Sequence, residues 1–368
     1  MSTHFHPLEV CAVQADTDEA VLVSFAVPAS LQKQFSFNQG QYLTLRQEID
    51  GEEVRRSYSI CAAVGEALRI GVRKVPGGLF SNWLANEIKV GHTLQVMPPQ
   101  GRFFVPLDSK AQRHYLGLAG GSGITPILSI MKTVLAHEPA SQFTLLYGNR
   151  KQQSTMFKEE LEDIKNRYLD RVVLHYIFSD EHTEVSIYNG VLNRQKISDF
   201  LHTLVSVSHI DHAFICGPYQ MNDEAYAALQ LSGMSTERIH IERFGIAPTY
   251  TSNNMQEVGN MVAQTSMSKD VKQACIVIVR DGKRYEINCS QNEDQPNSLL
   301  EAIATAGLEV PYSCKSGVCG TCCTKLLEGR VRMTRNFALD QSAVANNFIL
   351  ACQAYPLTER VVISFDER

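Results

Sequence analysis

A chain of 368 residues with 44% hydrophobic and 20% charged residues has a globular composition and room for roughly two to three domains, each burying its own core. A net charge of −5 with no basic cluster excludes a nucleic-acid partner, and no apolar run approaches the ~20 residues of a membrane span. The stretch Met1 to Val10 has no basic region leading into an apolar one, so the ten cysteines point to a reducing, cytoplasmic setting rather than to a disulfide framework.

From Phe5 to Pro106 the chain reads as short strands at Leu8–Val13, Val21–Val27, Tyr42–Leu45, Tyr58–Cys61 and Leu68–Val72, separated by Gly, Pro and Asp turns, which predicts a small antiparallel β-barrel over 1–108. Within it, Arg56-Ser57-Tyr58-Ser59 places Arg56 and Tyr58 on one face of a strand, where both meet a single ligand. Taken alone, an RxYS strand is equally an ordinary strand with an exposed arginine. Phe37-Asn38-Gln39-Gly40-Gln41-Tyr42 precedes it, and Gly77-Gly78-Leu79-Phe80-Ser81-Asn82 leads into a helix whose N-terminus suits a phosphate.

After Gln112 the rhythm becomes strand and helix in turn: His114–Ala119, a helix from Ile124, Phe143–Tyr147, a helix from Thr155, Val172–Phe178, Ala213–Cys216 and a helix from Tyr219. This alternation predicts a doubly wound parallel α/β domain over 109–245. Gly120-Gly121-Ser122-Gly123-Ile124-Thr125-Pro126 falls at a strand-to-helix turn, where glycines let a dinucleotide approach the backbone; it is not the GxGxxG form, and a packing turn is the plain alternative. Cys216-Gly217-Pro218 occupies the corresponding place after a later strand, and Cys216 also reads as a buried strand-end thiol. Tyr147-Gly148-Asn149-Arg150 ends a strand with a guanidinium suited to a 2′-phosphate and no acidic residue for a ribose, which leans toward NADPH, with NADH as the alternative and an exposed loop arginine as the simpler reading. Phe244, past the last strand, is placed either to cover a bound ligand or to pack in the core.

Residues 246–270 are polar and aperiodic and read as a linker. In 271–368 a hairpin turns at Asp281-Gly282, and Ser298-Leu299-Leu300-Glu301 has capping-box form before a short helix that Gly307 closes. Then come Cys314, Cys319, Cys322 and, after a long gap, Cys352: the spacing of a plant-type [2Fe-2S] site, with Gly317 and Gly320 where a side chain would obstruct the loop. Zinc is the rival metal, although its sites usually add a second CxxC or HxxxH at short range. Cys323 is expected to point away from the cluster, and Cys11, Cys61, Cys275 and Cys289 are expected to be small core residues. This segment holds eleven Lys+Arg and eleven Asp+Glu, so it is neutral.

The RxYS strand, the Gly78/Ser81 helix start, GGSGITP and the later CGP resemble the ferredoxin-NADP reductase superfamily. The resemblance implies that Arg56 pairs with the flavin pyrophosphate, Tyr58 packs on the isoalloxazine or ribityl, and Ser59 lies near the flavin N5. It further implies that Val72 and Lys74 touch the flavin through backbone or side chain, and that Gly78 and Ser81 meet the pyrophosphate. On the nucleotide side it implies loops at Gly121, Gly123, Gly217 and Pro218, with Thr125 beside the nicotinamide and Cys216 close to the hydride path. The implied cofactors are FAD, a nicotinamide dinucleotide and a [2Fe-2S] cluster in a β-grasp ferredoxin domain.

A hydride carries two electrons and the cluster accepts one, so the flavin is the converter between them. The order flavin barrel, nucleotide domain, ferredoxin is similar to the reductase components of bacterial multicomponent oxygenases. Gly51-Glu52-Glu53-Val54-Arg55-Arg56-Ser57-Tyr58-Ser59-Ile60 and the YGNR loop are similar to the reductase components of phenylacetyl-CoA epoxidase complexes. That resemblance implies an oxygenase partner, a di-iron enzyme acting on phenylacetyl-CoA. A Rieske oxygenase or a hybrid-cluster protein is the alternative acceptor, and a redox-sensing module the alternative role.

Overall fold

The computed structural model describes residues 4–245, 271, 273–290 and 296–367; the linker expected at 246–270 lies outside the described residues. The chain divides into two compact units, one spanning Phe5–Gly245 and the other holding the C-terminal residues.

The first unit begins with strands β1 (His6–Thr17), β2 (Ala20–Ala26), β3 (Tyr42–Ile49), β4 (Glu52–Ser59), β5 (Arg69–Arg73) and β6 (Thr93–Gln100), with helix α1 (Leu79–Asn86) between β5 and β6. They form one antiparallel sheet in the order β4-β3-β6-β1-β2-β5, and an Ile60–Ile70 bridge joins its two edges, so the sheet curls into a closed barrel. Inward residues such as Leu8, Val10, Val23, Leu43, Leu45, Ile70 and Val96 fill it. Strand β6 escapes the sequence reading because Pro98-Pro99 interrupts its pattern.

Strands β7 (His114–Gly120), β8 (Gln142–Asn149), β9 (Val172–Phe178), β10 (His212–Gly217) and β11 (Ile239–Arg243) make a parallel sheet in the order β11-β10-β7-β8-β9. Its central strands are continuous apolar runs because both faces are covered. The covering helices are α2 (Ile124–His137), α3 (Lys158–Arg167), α4 (Arg194–Thr203) and α5 (Tyr219–Leu231). Helix α3 starts three residues later than the sequence suggests, because Gln152–Ser154 forms a 3-10 turn first.

Barrel and parallel sheet are locked together. Ser129 of α2 donates to the Ala62 carbonyl (2.7 Å), and Thr133 accepts from the Val64 amide (3.1 Å). Arg69 grips Glu160 through both carboxylate oxygens (2.8 Å each), and Lys132 bonds Glu160 (2.8 Å) and Glu66 (2.6 Å). These partly buried, shared charges hold better than isolated surface pairs.

The second unit contains β12 (Gln273–Arg280), β13 (Lys283–Ser290), α6 (Leu299–Thr305), β14 (Cys323–Glu328), β15 (Val331–Met333), α7 (Gln341–Ala345), β16 (Phe348–Leu350), β17 (Ala354–Pro356) and β18 (Arg360–Ser364). The sheet order is β13-β12-β18-β14-β16, with β12 and β18 parallel and β15-β17 a separate ribbon, the mixed sheet of a β-grasp. Asp281 and Gly282 both take positive φ (52° and 71°), as a two-residue hairpin turn demands. The capping box at Ser298 and Glu301 forms with both reciprocal bonds.

Two of the cysteines expected in the core lie elsewhere. Cys11 is exposed, because β1 is irregular between Val10 and Ala12 and the residue turns outward there. Cys275 is only partly buried: it alternates with the inward Ala274 and Ile276 and hydrogen-bonds Glu286. Cys61 and Cys289 are buried as expected.

Candidate functional site

Because β7 runs on to β8 and β9 on one side and is flanked by β10 on the other, the strand order reverses between β7 and β10. Ligands of open α/β sheets lie at such a switch point, beyond the carboxyl ends of the strands. Both nucleotide-loop motifs sit there: Gly120–Gly123 closes β7, and Cys216-Gly217-Pro218 leads from β10 into α5. The two loops touch so closely that a Cβ on Gly123 would stand 2.0 Å from the Cys216 carbonyl oxygen, which only glycine permits.

Thr125 opens α2, is buried, and donates its hydroxyl to the Ser122 carbonyl (2.9 Å). Its methyl reaches the barrel at Gly71 of β5, where an added Cβ would lie 3.0 Å from Thr125 Cγ2 and 2.7 Å from Phe157 Cζ. The nucleotide loop and the flavin-side strand are therefore in van der Waals contact at this point. Phe157 has a left-handed backbone (φ 57°), and its amide donates to both carboxylate oxygens of Asp16 (3.1 Å each), which fixes the ring from the barrel side. Burial raises the Asp16 pKa, partly offset by the Phe157 bond.

Cys216, near the end of β10, is buried. Its side chain is fully enclosed in the apolar core with Phe214 and Ala119, and burial raises its pKa well above the thiol range. It forms a wall of the switch point through its carbonyl. Across the strands, its register partner is Glu242, a half-buried carboxyl that burial pushes up to about 8. Glu242 was not singled out in the sequence because a strand-end acid carries no motif. Arg73 was missed as well: its guanidinium lies 2.8 Å from where Gly121 would carry a Cβ and pairs with Glu19 (2.8 Å). Glu19 also holds the exposed Arg150 (3.3 Å), and the Arg73 hydrogen bond lowers its pKa.

On the barrel, strand parity puts Arg56 and Tyr58 on one face, opposite Leu45 and Leu43. Arg56 is exposed and donates to the Arg55 carbonyl (2.8 Å), while Tyr58 is half-buried against Phe80 with ring centroids 6.0 Å apart. Ser59 is buried at the strand end. The Val72 side chain belongs to the barrel core, so only its backbone faces outward, and Lys74 turns away to the Asp18 carbonyl (3.0 Å). Gly78 caps α1, and a Cβ there would meet Ser81 Oγ at 2.7 Å; Ser81 in turn accepts from the Val75 amide (3.2 Å). Phe244 is 46% exposed rather than packed in the core. An exposed cation, an open helix N-terminus and half-buried aromatic rings are a donor set that fits a flavin dinucleotide.

In the C-terminal unit Gly317 and Gly320 take positive φ (82° and 68°), and the loop they shape turns the Ser316 and Cys319 amides toward Cys314 Sγ (3.4 Å each). The four ligand candidates form two pairs. The Cys319 thiol bonds Cys314 and lowers its pKa, and the Cys322 thiol does the same to Cys352, while the donor of each pair is raised. Two thiol pairs with amides aimed at sulfur fit a two-iron cluster better than one tetrahedral zinc. Cys323 starts β14 and packs against the domain core, as expected.

Three family models match this chain: an oxidoreductase FAD-binding domain over 9–105, an oxidoreductase NAD-binding domain over 118–226, and a 2Fe-2S iron-sulfur cluster binding domain over 278–357. A component of the 1,2-phenylacetyl-CoA epoxidase of Escherichia coli K12 is 41% identical over 370 residues, covering 100% of this chain and 99% of that protein. The ferredoxin reductase component of 3-ketosteroid-9-alpha-monooxygenase from Rhodococcus rhodochrous is 31% identical, covering 97% of this chain and 96% of its own length. Among solved structures, phthalate dioxygenase reductase, a modular structure for electron transfer from pyridine nucleotides to [2Fe-2S], shares the fold at a TM-score of 0.57 and 23% identity over 98% of both chains. No helix among the described residues is long and apolar enough to cross a membrane.

Proposed function

Because this chain belongs to the family of oxygenase reductase components that join FAD-binding, NAD-binding and 2Fe-2S domains, we propose that it draws electrons from NADPH and delivers them to a di-iron oxygenase acting on phenylacetyl-CoA. The observation that carries this reading is the 41% identity, along the entire chain, to a component of a phenylacetyl-CoA epoxidase. We read its parts as a flavin barrel at 1–108, a nucleotide domain at 109–245, a linker at 246–270 and a ferredoxin domain at 271–368. Ten free cysteines suit a reducing cytoplasm.

When bound, the flavin exchanges a two-electron hydride for single electrons that the cluster can carry. The residues of the chain place and shield these groups. Arg56 and the N-terminus of α1, at Gly78 and Ser81, neutralise the flavin pyrophosphate, Tyr58 supports its ring, and the exposed Phe244 covers it. Gly121, Gly123, Gly217 and Pro218 let the nicotinamide nucleotide approach the backbone, with Arg73 beside its pyrophosphate and Arg150 for a 2′-phosphate. Thr125, in contact at Gly71, would set the spacing of nicotinamide and flavin, and Ser59, at the end of β4, would meet the flavin edge. Glu242 holds a proton at the strand end beside Cys216 at neutral pH. Cys314, Cys319, Cys322 and Cys352 hold the cluster as thiolates.

The test is reconstitution. NADPH oxidation by this chain should couple to oxygen consumption when the phenylacetyl-CoA oxygenase and its substrate are present, and not with a 3-ketosteroid monooxygenase. Equal coupling to both acceptors would remove the substrate assignment, and reduction of flavin without reduction of the cluster would remove the electron-outlet reading.

A further inference from the structure

The domain that carries the four cysteines is neutral as a whole, but its charge is unevenly placed. The stretches 310–327, 329–339 and 347–358, which supply the cysteines and their surroundings, contain Lys315, Lys325, Arg330, Arg332 and Arg335 and not one Asp or Glu. The acids of the domain lie in its other segments. Glu309, Glu328, Asp340 and Glu359 stand at the ends of these stretches, so along the chain the charge beside the cysteines is positive and the charge that flanks it is negative.

The fold ties these cations to the cysteine loop. The Arg335 carbonyl oxygen packs 3.0 Å from where Gly317 would carry a Cβ, the Phe337 amide donates to the Gly317 carbonyl (3.0 Å), and Thr334 bonds Gln353, the neighbour of Cys352, through its amide (3.0 Å) and hydroxyl (2.9 Å). Gln353 in turn donates to the Lys315 carbonyl (3.0 Å). Arg332 is the register partner of Tyr355 and lies over its ring at 5.1 Å, and Lys315 lies over Tyr312 at 4.9 Å. All three cations are exposed. The Tyr355 phenol feels both Arg332 and Arg335; the carboxylate that also reaches it, Glu301, is engaged in the α6 capping box. Lys325, on β14, pairs with Glu367 (2.6 Å).

Resting on the electron-outlet reading above, we propose that Lys315, Arg332 and Arg335 form a basic collar around the outlet and that the acceptor protein presents an acidic docking face to it. Electron transfer needs only a brief encounter, and small weak interfaces of this kind gain their rate from complementary charge. The collar selects for an acidic partner and against a basic one.

Two haem proteins of opposite charge serve as probes: cytochrome b5, which is acidic, and cytochrome c, which is basic. The full-length protein, loaded with flavin and cluster and reduced with dithionite, is mixed with each in a stopped-flow instrument, while the reduced cluster is followed separately by freeze-quench EPR. The rate with cytochrome b5 should fall on the order of ten-fold between ~20 and ~200 mM salt, and that with cytochrome c should stay level or rise. In R332E/R335E the preference should invert, with the cluster EPR signal unchanged. Identical salt slopes for both probes, or no effect of the charge reversal, would overturn the collar while leaving the outlet reading intact. Failure of the wild-type cluster to reduce either probe would overturn both. If the charge-reversed variant loses its cluster, R332Q/R335Q decides, and it should flatten the salt slope for cytochrome b5.

Discussion

Gly71→Ala tests the proposal that the contact between β5 and Thr125 sets the spacing of nicotinamide and flavin. Gly71 lies in β5 with no positive φ, so alanine is tolerated by the backbone and the effect is one of space alone. The new methyl would stand 2.7 Å from Phe157 Cζ and 3.0 Å from Thr125 Cγ2, against an ordinary carbon contact of ~3.5–4.0 Å. Relief requires about 1 Å of withdrawal on the ring side and somewhat less on the threonine side. Neither side chain swings aside freely, because the Phe157 ring is buried in the core on a backbone held by Asp16, and the Thr125 hydroxyl is tied to the Ser122 carbonyl. The nucleotide loop must then move off β5 as a piece. Overpacking of this kind costs about 1–3 kcal/mol of stability, and a displacement near 1 Å at a reacting centre costs up to ~100-fold in rate. Stopped-flow bleaching of the flavin by NADPH, beside a thermal melt and a flavin content assay, measures all three quantities. A hydride-transfer rate within two-fold of wild type, in a variant that keeps its flavin, would refute the claim that this contact sets the geometry.

Cys322→Ser should abolish the visible absorbance of the cluster and leave flavin bleaching by NADPH within about two-fold; retained cluster absorbance would remove Cys322 from the ligand set. Arg150→Ala should raise the KM for NADPH by on the order of ten-fold with little change for NADH, and Glu19→Gln, which frees Arg150 from its ion pair, should lower the KM for NADPH; steady-state kinetics with both nucleotides reads each effect. Glu242, with its folded pKa raised from 4.5 to about 8, binds its proton more tightly in the folded state, so its contribution to stability is complete below pH 4.5 and is lost as pH rises through about 8. The loss is on the order of 3 kcal/mol once the partial exposure of the carboxyl is discounted. Denaturant titrations between pH 5 and 9 should show this decline in the wild-type protein and its absence in Glu242→Gln.

The features legible in the sequence are those in which one residue type is forced by local geometry. Gly120 and Gly123 had to be glycine because the β10 loop crosses them, and their place after a continuous apolar strand announced the carboxyl end of a parallel strand. The hairpin at Asp281-Gly282 and the capping box at Ser298 were readable for the same reason: each is complete within four residues. The contacts that fix the site were not readable, because they join residues far apart in sequence. Asp16 meets Phe157 across 141 positions, Arg69 meets Glu160 across 91, and Arg150 meets Glu19 across 131. No spacing rule links such pairs, and the left-handed backbone of Phe157 carries no signal in a phenylalanine.

Electrostatics shows the same limit in another form. Equal numbers of acids and bases make 271–368 neutral, but that count averages over the whole fold. The fold undoes the averaging: β15 and β17 pair Arg332 with Tyr355, and the backbone of Arg335 and of Lys315 packs on the Gly317 turn and Gln353, while Asp281 and Asp366 meet at the hairpin end. A domain that must accept electrons from its own flavin unit and then release them to another protein gains from this arrangement. Covalent tethering supplies the first encounter at high effective concentration without any charge, so the charged rim is left free to govern the second. The steering charge then belongs at the outlet alone, and the salt dependence of the chain should appear in reduction of the external acceptor and not in the internal transfer from flavin to cluster.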